Sequence, residues 1–142
     1  MKRLAALSLL LAIGCQKFLI VAVDDKQSLQ PTFRFHADSV LGLGKTQSAH
    51  VSTFTVAAKG EGSGDQTVWQ IESRAAKVTS EPTAKPAALA EIKYGNAPVG
   101  YATLVAPQVL EWGKTYRVTS SLRVEGDEAV VGAGGEFTPT KR

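Results

Sequence analysis

Along most of this 142-residue chain, apolar and polar positions alternate with a period of two. The clearest case is "TYRVTSSLRVEG", where Tyr116, Val118, Ser120, Leu122 and Val124 fall on one side and Arg117, Thr119, Ser121 and Arg123 on the other. Successive side chains of an extended strand point to opposite faces, so the pattern predicts a strand with one face in a core and the other in water. The same alternation, less regular, runs through "PTFRFHAD" with Phe33 and Phe35, "VSTFTVAAK" with Phe54 and Val56, and "TVWQIES" with Trp69 and Ile71. It returns in "AEIKYG" with Ile92 and Tyr94, and around Leu104 and Phe137. About seven short strands separated by turn-forming residues predict an all-β chain folded as one antiparallel sandwich. The glycine-rich "GEGSGD" at 60–65 and the two-proline "SEPTAKPAA" from Ser80 read as connections, because proline cannot occupy a central strand. Helix-like composition occurs only at 84–90, too short and too close to Pro86 to predict a helix. No internal repeat is present.

The first residues follow a different pattern. Lys2 and Arg3 precede an apolar run at 4–13 that only Ser8 interrupts. A spanning helix needs roughly twenty apolar residues, so a run half that long predicts a secretory signal. It closes on Ala12, Ile13, Gly14 and the chain's only cysteine, Cys15. This "AIGC" resembles the lipobox of bacterial lipoproteins, with Ala12 where that family usually has Leu. The resemblance implies that Cys15 is acylated on sulfur, becomes the first residue after cleavage, and is acylated again on its new amine. Gln16 in place of Asp resembles lipoproteins passed to the outer membrane. The implied location is the bacterial envelope, at the periplasmic face of the outer membrane, with the membrane itself as partner through the lipid. Two alternatives stand beside it. A span over 4–23 would bury Gln16 and Lys17, and a central Lys costs about 3 kcal/mol. A disulfide within the chain lacks a second cysteine. The chain therefore divides into a signal at 1–14, a lipidated N-terminus and tether at 15–30, and a sandwich domain at 31–142. Within the tether, "FLIVAV" at 18–23 fits either an extra edge strand or apolar chain resting near the bilayer.

Removing the signal changes the charge balance. Lys2 and Arg3 leave with it, so sixteen Lys and Arg become fourteen against thirteen Asp and Glu, an excess of one. With no basic stripe and no aromatic-interleaved basic loop, the electrostatic footprint of a nucleic-acid binder is missing. The remaining length suits one domain that buries roughly two thirds of its unfolded surface.

A more definite fold comes from "LEWGKTYRV". Leu110, Gly113, Tyr116 and Val118 resemble the turn-then-tyrosine pattern that opens the sixth strand of fibronectin type III and related immunoglobulin-like domains, and "GGEFTPTK" resembles their last strand. Over about the last two thirds of the chain the resemblance implies an immunoglobulin-like sandwich. It also implies a Tyr116 hydroxyl bonded to the backbone of the preceding corner and Trp69 placed between the sheets. "IKYGNAPVGY" followed by "LEWGKTYRV" resembles small bacterial lipoproteins as well, a likeness that implies no activity.

Candidate chemistry is thin. His36 and Asp38 share a strand face, but it is the one opposite Phe33 and Phe35, and His50 and scattered acids do not complete a ligand set, so no metal is expected. In a strand, Asp24 and Asp25 point to opposite faces and make a poor general acid and base pair. None of the serines has the glycine-flanked elbow that exposes a nucleophile. "GLGKTQ" at 42–47 has Ser39 where a phosphate loop needs its first glycine, and it reads as a loop between the first two strands. Two function classes stay open. One is a non-enzymatic envelope lipoprotein, free of cofactors, that contacts another protein or a cell-wall polymer through loops or an edge strand. The other is a glycan or small-ligand binder, or an unrecognised hydrolase, built on loop aromatics: Trp112, Tyr94 and Tyr101.

Overall fold

The computed structural model describes residues 18–24, 27–38, 45–60, 62, 64–75, 88–124 and 131–141. They form ten strands: β1 (Phe18–Asp24), β2 (Thr32–Asp38), β3 (Lys45–Gln47), β4 (Ala49–Ala58), β5 (Gln66–Ser73), β6 (Ala88–Leu89), β7 (Glu91–Lys93), β8 (Tyr101–Val105), β9 (Tyr116–Val124) and β10 (Val131–Phe137). No α-helix occurs among the described residues. The expected all-β sandwich is what the chain adopts, with three strands more than the seven that alternation marks.

Those three are instructive. Phe18–Asp24, assigned to the tether at 15–30, is a full strand and not an edge. It pairs antiparallel with β2 at every position from Phe18↔Asp38 to Asp24↔Thr32, and parallel with β10 at Leu19↔Ala133 and Ile20↔Gly134. The sandwich therefore includes Phe18–Asp24, ahead of the start expected at Pro31. Lys45–Gln47, read as part of a loop, lies along β2 as β3. Ala88–Leu89, from the alanine-rich 84–90 stretch, pairs with Ala49 and His50 as β6.

The strands fall into two layers. In one, β2 carries β1 on one edge and both β3 and β7 on the other, β3 taking Phe35 to Ala37 and β7 taking Thr32 to Arg34. The other runs β10-β9-β4-β5-β8, with β6 on β4. The parallel β1–β10 pair joins them, and every other pairing is antiparallel. Aromatic rings fill the space between: Phe33 lies 5.2 Å from Phe54 and 5.5 Å from Phe137, and Trp69 lies 5.1 Å from Tyr94 and 5.9 Å from Phe54. Tilted and edge-on contacts of this kind add to area burial because ring edges meet ring faces. Trp69 is fully buried between the layers, and its indole Nε1 has no hydrogen-bond partner among the described residues.

Register breaks explain where alternation fails. On β4 the buried positions are Ala49 and Val51, then Phe54, Val56 and Ala58, and the change of phase coincides with a bulge against β9 between Val51 and Thr53. A second irregularity pairs Val56 with Trp69 but Ala57 with Thr67, so Val68 and Trp69 are both turned inward. A third, between Gln70 and Ile71, leaves Leu104 half exposed on β8. One inserted residue swaps the faces of everything beyond it.

Candidate functional site

Strand direction defines two ends of the sandwich. β1 starts, β9 finishes and β10 starts at one end, level with Asp38 of β2. At the other, Asp24 meets Thr32, Thr32 meets Lys93, and Ala58 meets both Gln66 and Tyr116. The loops that converge on this second end, here the loop end, are stitched together by backbone bonds. Tyr94 N–H donates to Pro31 O at 2.9 Å, Gln108 N–H to Val68 O at 3.0 Å, Lys59 N–H to Thr115 O at 3.0 Å, and Gly113 N–H to Pro139 O at 2.8 Å. The hydroxyls of Thr115 and Thr138 add a 2.8 Å contact. On the outer surface at this end the charged residues pair, Arg117 of β9 lying 3.1 Å from Asp65 and 3.2 Å from Glu136 of β10.

The corner before β9 carries the contact implied for it: Glu111 N–H donates to the Tyr116 hydroxyl at 2.8 Å, and the Tyr116 ring stacks on Phe137. Leu110 is buried beneath the corner. Gly113 turns the chain at φ +77°, a left-handed conformation that side chains other than glycine adopt at a cost. Trp112 sits at the crest of this turn with 41% of its surface exposed. Between a buried Leu110 and a bonded Gly113 it has little freedom to fold inward.

Of the three aromatic candidates, only Trp112 faces solvent. Tyr94 and Tyr101 belong to the core rather than to loop surfaces, which corrects the expectation for both. Tyr94 is 4% exposed and its hydroxyl donates to Gln108 O at 2.6 Å; Tyr101 is 6% exposed and donates to Val51 O at 2.7 Å. Both rings complete the sandwich and spend their polar tips on backbone carbonyls, Tyr94 on one in the loop after β8 and Tyr101 on one in β4. Burial pushes both phenols up to about 12, with repulsion from Tyr116 adding at Tyr94.

A cavity of about 250 Å³ opens at the loop end beside Tyr94, walled by Leu29, Gln30, Asn96, Pro107, Gln108 and Val109. Sequence reasoning missed it, because its walls come from three separate loops whose composition carries no signal. The lining supplies carboxamides and apolar surface, and neither a carboxylate nor an imidazole. Cofactor and drug-sized pockets run from roughly 300 to 1,000 Å³, so this one suits a side chain or a single sugar ring rather than a nucleotide. His36 and His50 lie on β2 and β4 respectively. Among the described residues no group of three His, Cys, Asp or Glu side chains could hold a metal. Cys15 and the signal at 1–14 lie outside the described residues, as do Asp25 and the glycines of "GLGKTQ". The chain matches no protein-family model, no curated protein and no solved structure.

Proposed function

We propose that this chain is a lipid-anchored protein of the bacterial envelope, held at the periplasmic face of the outer membrane through Cys15. Its sandwich makes non-enzymatic contacts with another protein or a cell-wall polymer. What supports the anchor is the pairing of Phe18–Asp24. With these residues paired to β2 along their whole length, and Leu19 and Ile20 paired to β10 as well, 18–23 is not available to a membrane span. The apolar run that remains, at 4–13, has the length of a secretory signal and ends in a small residue and a cysteine. No described helix is long and apolar enough to cross a membrane. In cells, Cys15→Ser should abolish labelling by a fatty-acid analogue and block the cleavage that depends on a lipidated cysteine, giving a heavier band that no longer partitions with membranes. Equal mass and equal carbonate resistance of the two proteins would defeat the proposal.

The contact surface we assign to the loop end. An exposed indole braced by the Tyr116 corner, with a carboxamide-lined cavity at the same end, is the chemistry that stacks on a sugar face or a partner's apolar side chain. The glycan reading thus keeps Trp112 and the cavity, with Tyr94 as its buried wall. Pull-down on cell-wall polysaccharide with wild type and Trp112→Ala separates a glycan from a protein partner.

A further inference from the structure

The anchor reading fixes more than location once the start of β1 is taken into account. Only Gln16 and Lys17 separate Cys15 from Phe18. Three Cα steps reach at most about 10 Å even when fully extended. The headgroup layer of one leaflet is itself roughly 5–8 Å thick, half the difference between the whole bilayer and its hydrocarbon core. A lipidated Cys15 therefore leaves almost no slack between the bilayer and the first residue of β1. Nor can β1 lengthen the connection by peeling away, because it lies between β2 and β10 and its departure would open the junction of both layers.

We propose that the end of the sandwich where β1 and β10 start rests directly on the lipid headgroups, and that the loop end with Trp112 is held facing away from the membrane. This rests on the lipid-anchor reading. The strand direction supplies the rest. β1 runs from the anchored end to Asp24 at the loop end, and seven residues of strand rise span roughly 20 Å. A tether of a dozen flexible residues, with a mean reach near 20 Å, would let the domain tumble; two residues do not. The cavity and the Trp112 turn are thereby presented to the periplasm and withheld from lipid.

The test uses the full-length lipidated protein in vesicles of phosphatidylethanolamine and phosphatidylglycerol that carry a headgroup-attached nitroxide quencher. Lipidation occupies Cys15, so a single introduced cysteine is the only free thiol. Gly132→Cys reports on the anchored end: Gly132 is exposed, lies beside the start of β10, and a Cβ there meets no atom within 4 Å. Val109→Cys reports on the loop end, where Val109 is 86% exposed. Each carries the same thiol-reactive dye, and circular dichroism verifies that each keeps its strands. Quenching should be several-fold stronger at Gly132→Cys than at Val109→Cys. Inserting twelve Gly and Ser residues between Lys17 and Phe18 should erase that difference while vesicle binding persists. Equal quenching at the native tether length, with the lipid on Cys15 seen by mass spectrometry, overturns the orientation and leaves the anchor standing. Absence of the lipid and of vesicle binding overturns both.

Discussion

At the scale of single residues, three tyrosines do three versions of one task, capping the aromatic core with a ring and satisfying a stray backbone group with a hydroxyl. Tyr116 accepts a hydrogen bond from Glu111 N–H, whereas Tyr94 and Tyr101 donate to carbonyls. Glu111 is exposed, so water can replace the lost hydroxyl, and Tyr116→Phe should cost about 1 kcal/mol in urea melts. Tyr116→Ala removes the ring stacked on Phe137 and should cost about 3–5 kcal/mol; equal melts for wild type and the alanine variant would place Tyr116 outside the core. The donating pair gives the fold an alkaline limit. Unfolded, both phenols ionise near pH 10, but in the fold they hold their protons until about 12. The unfolded state thus sheds protons first, so stability is intact below pH 10 and falls as pH rises through about 12. Urea midpoints measured across that window should decline, and less steeply in the Tyr94→Phe, Tyr101→Phe double variant; a flat profile in wild type would contradict the burial of these groups.

Among the elements, β1 carries the most with the least signal. Its ladder with β2 covers seven positions, and a backbone hydrogen bond contributes roughly 0.5–1.5 kcal/mol net, so β1 supplies several kcal/mol out of a typical total of about 5–15. A chain starting at Gln16 should unfold in one cooperative urea transition, while one starting at Asp25 should lose cooperativity or fold only marginally. Similar melts for the two would show that β1 is dispensable. The reasons some strands were legible and others were not are physical. Strands such as β9 bury one face and expose the other, which writes a period of two into the sequence. "FLIVAV" is six apolar residues in a row, and a run without alternation has no period to read. β3 and β6 are three and two residues long, too short to bear a pattern and dependent on the strands beside them. The bulges of β4 and β5 reset the phase within what reads as one segment. For the candidate site, the exposure of Trp112 was legible from its place in a turn before a glycine. The inward turn of Tyr94 was legible in its alternation with Ile92, which its reading as a loop aromatic overrode; that of Tyr101 was not, because its Gly- and Pro-rich surroundings look like loop until the sheet that buries it is assembled.

For the whole molecule, one aromatic core between two layers should govern what spectroscopy sees. The two tryptophans occupy opposite conditions, Trp69 fully buried and Trp112 41% exposed. Acrylamide should quench one component of the fluorescence efficiently and leave the other nearly untouched, with Trp112→Phe removing the accessible component. Circular dichroism should be dominated by strand. Uniform quenching of both indoles would contradict the burial of Trp69 between the layers.

The parallel junction of β1 with β10 sets an order of events. Leu19 and Ala133 pair across more than a hundred residues of chain, so β1 must wait for β10 to be made. Contacts so distant in sequence make folding slow, because loop closure has to precede the interactions that reward it. At about 5–20 residues per second of synthesis, the layers stay unlocked for several seconds after β1 appears. A chain that cannot close early remains threadable, which is the state in which polypeptides pass through a translocation pore.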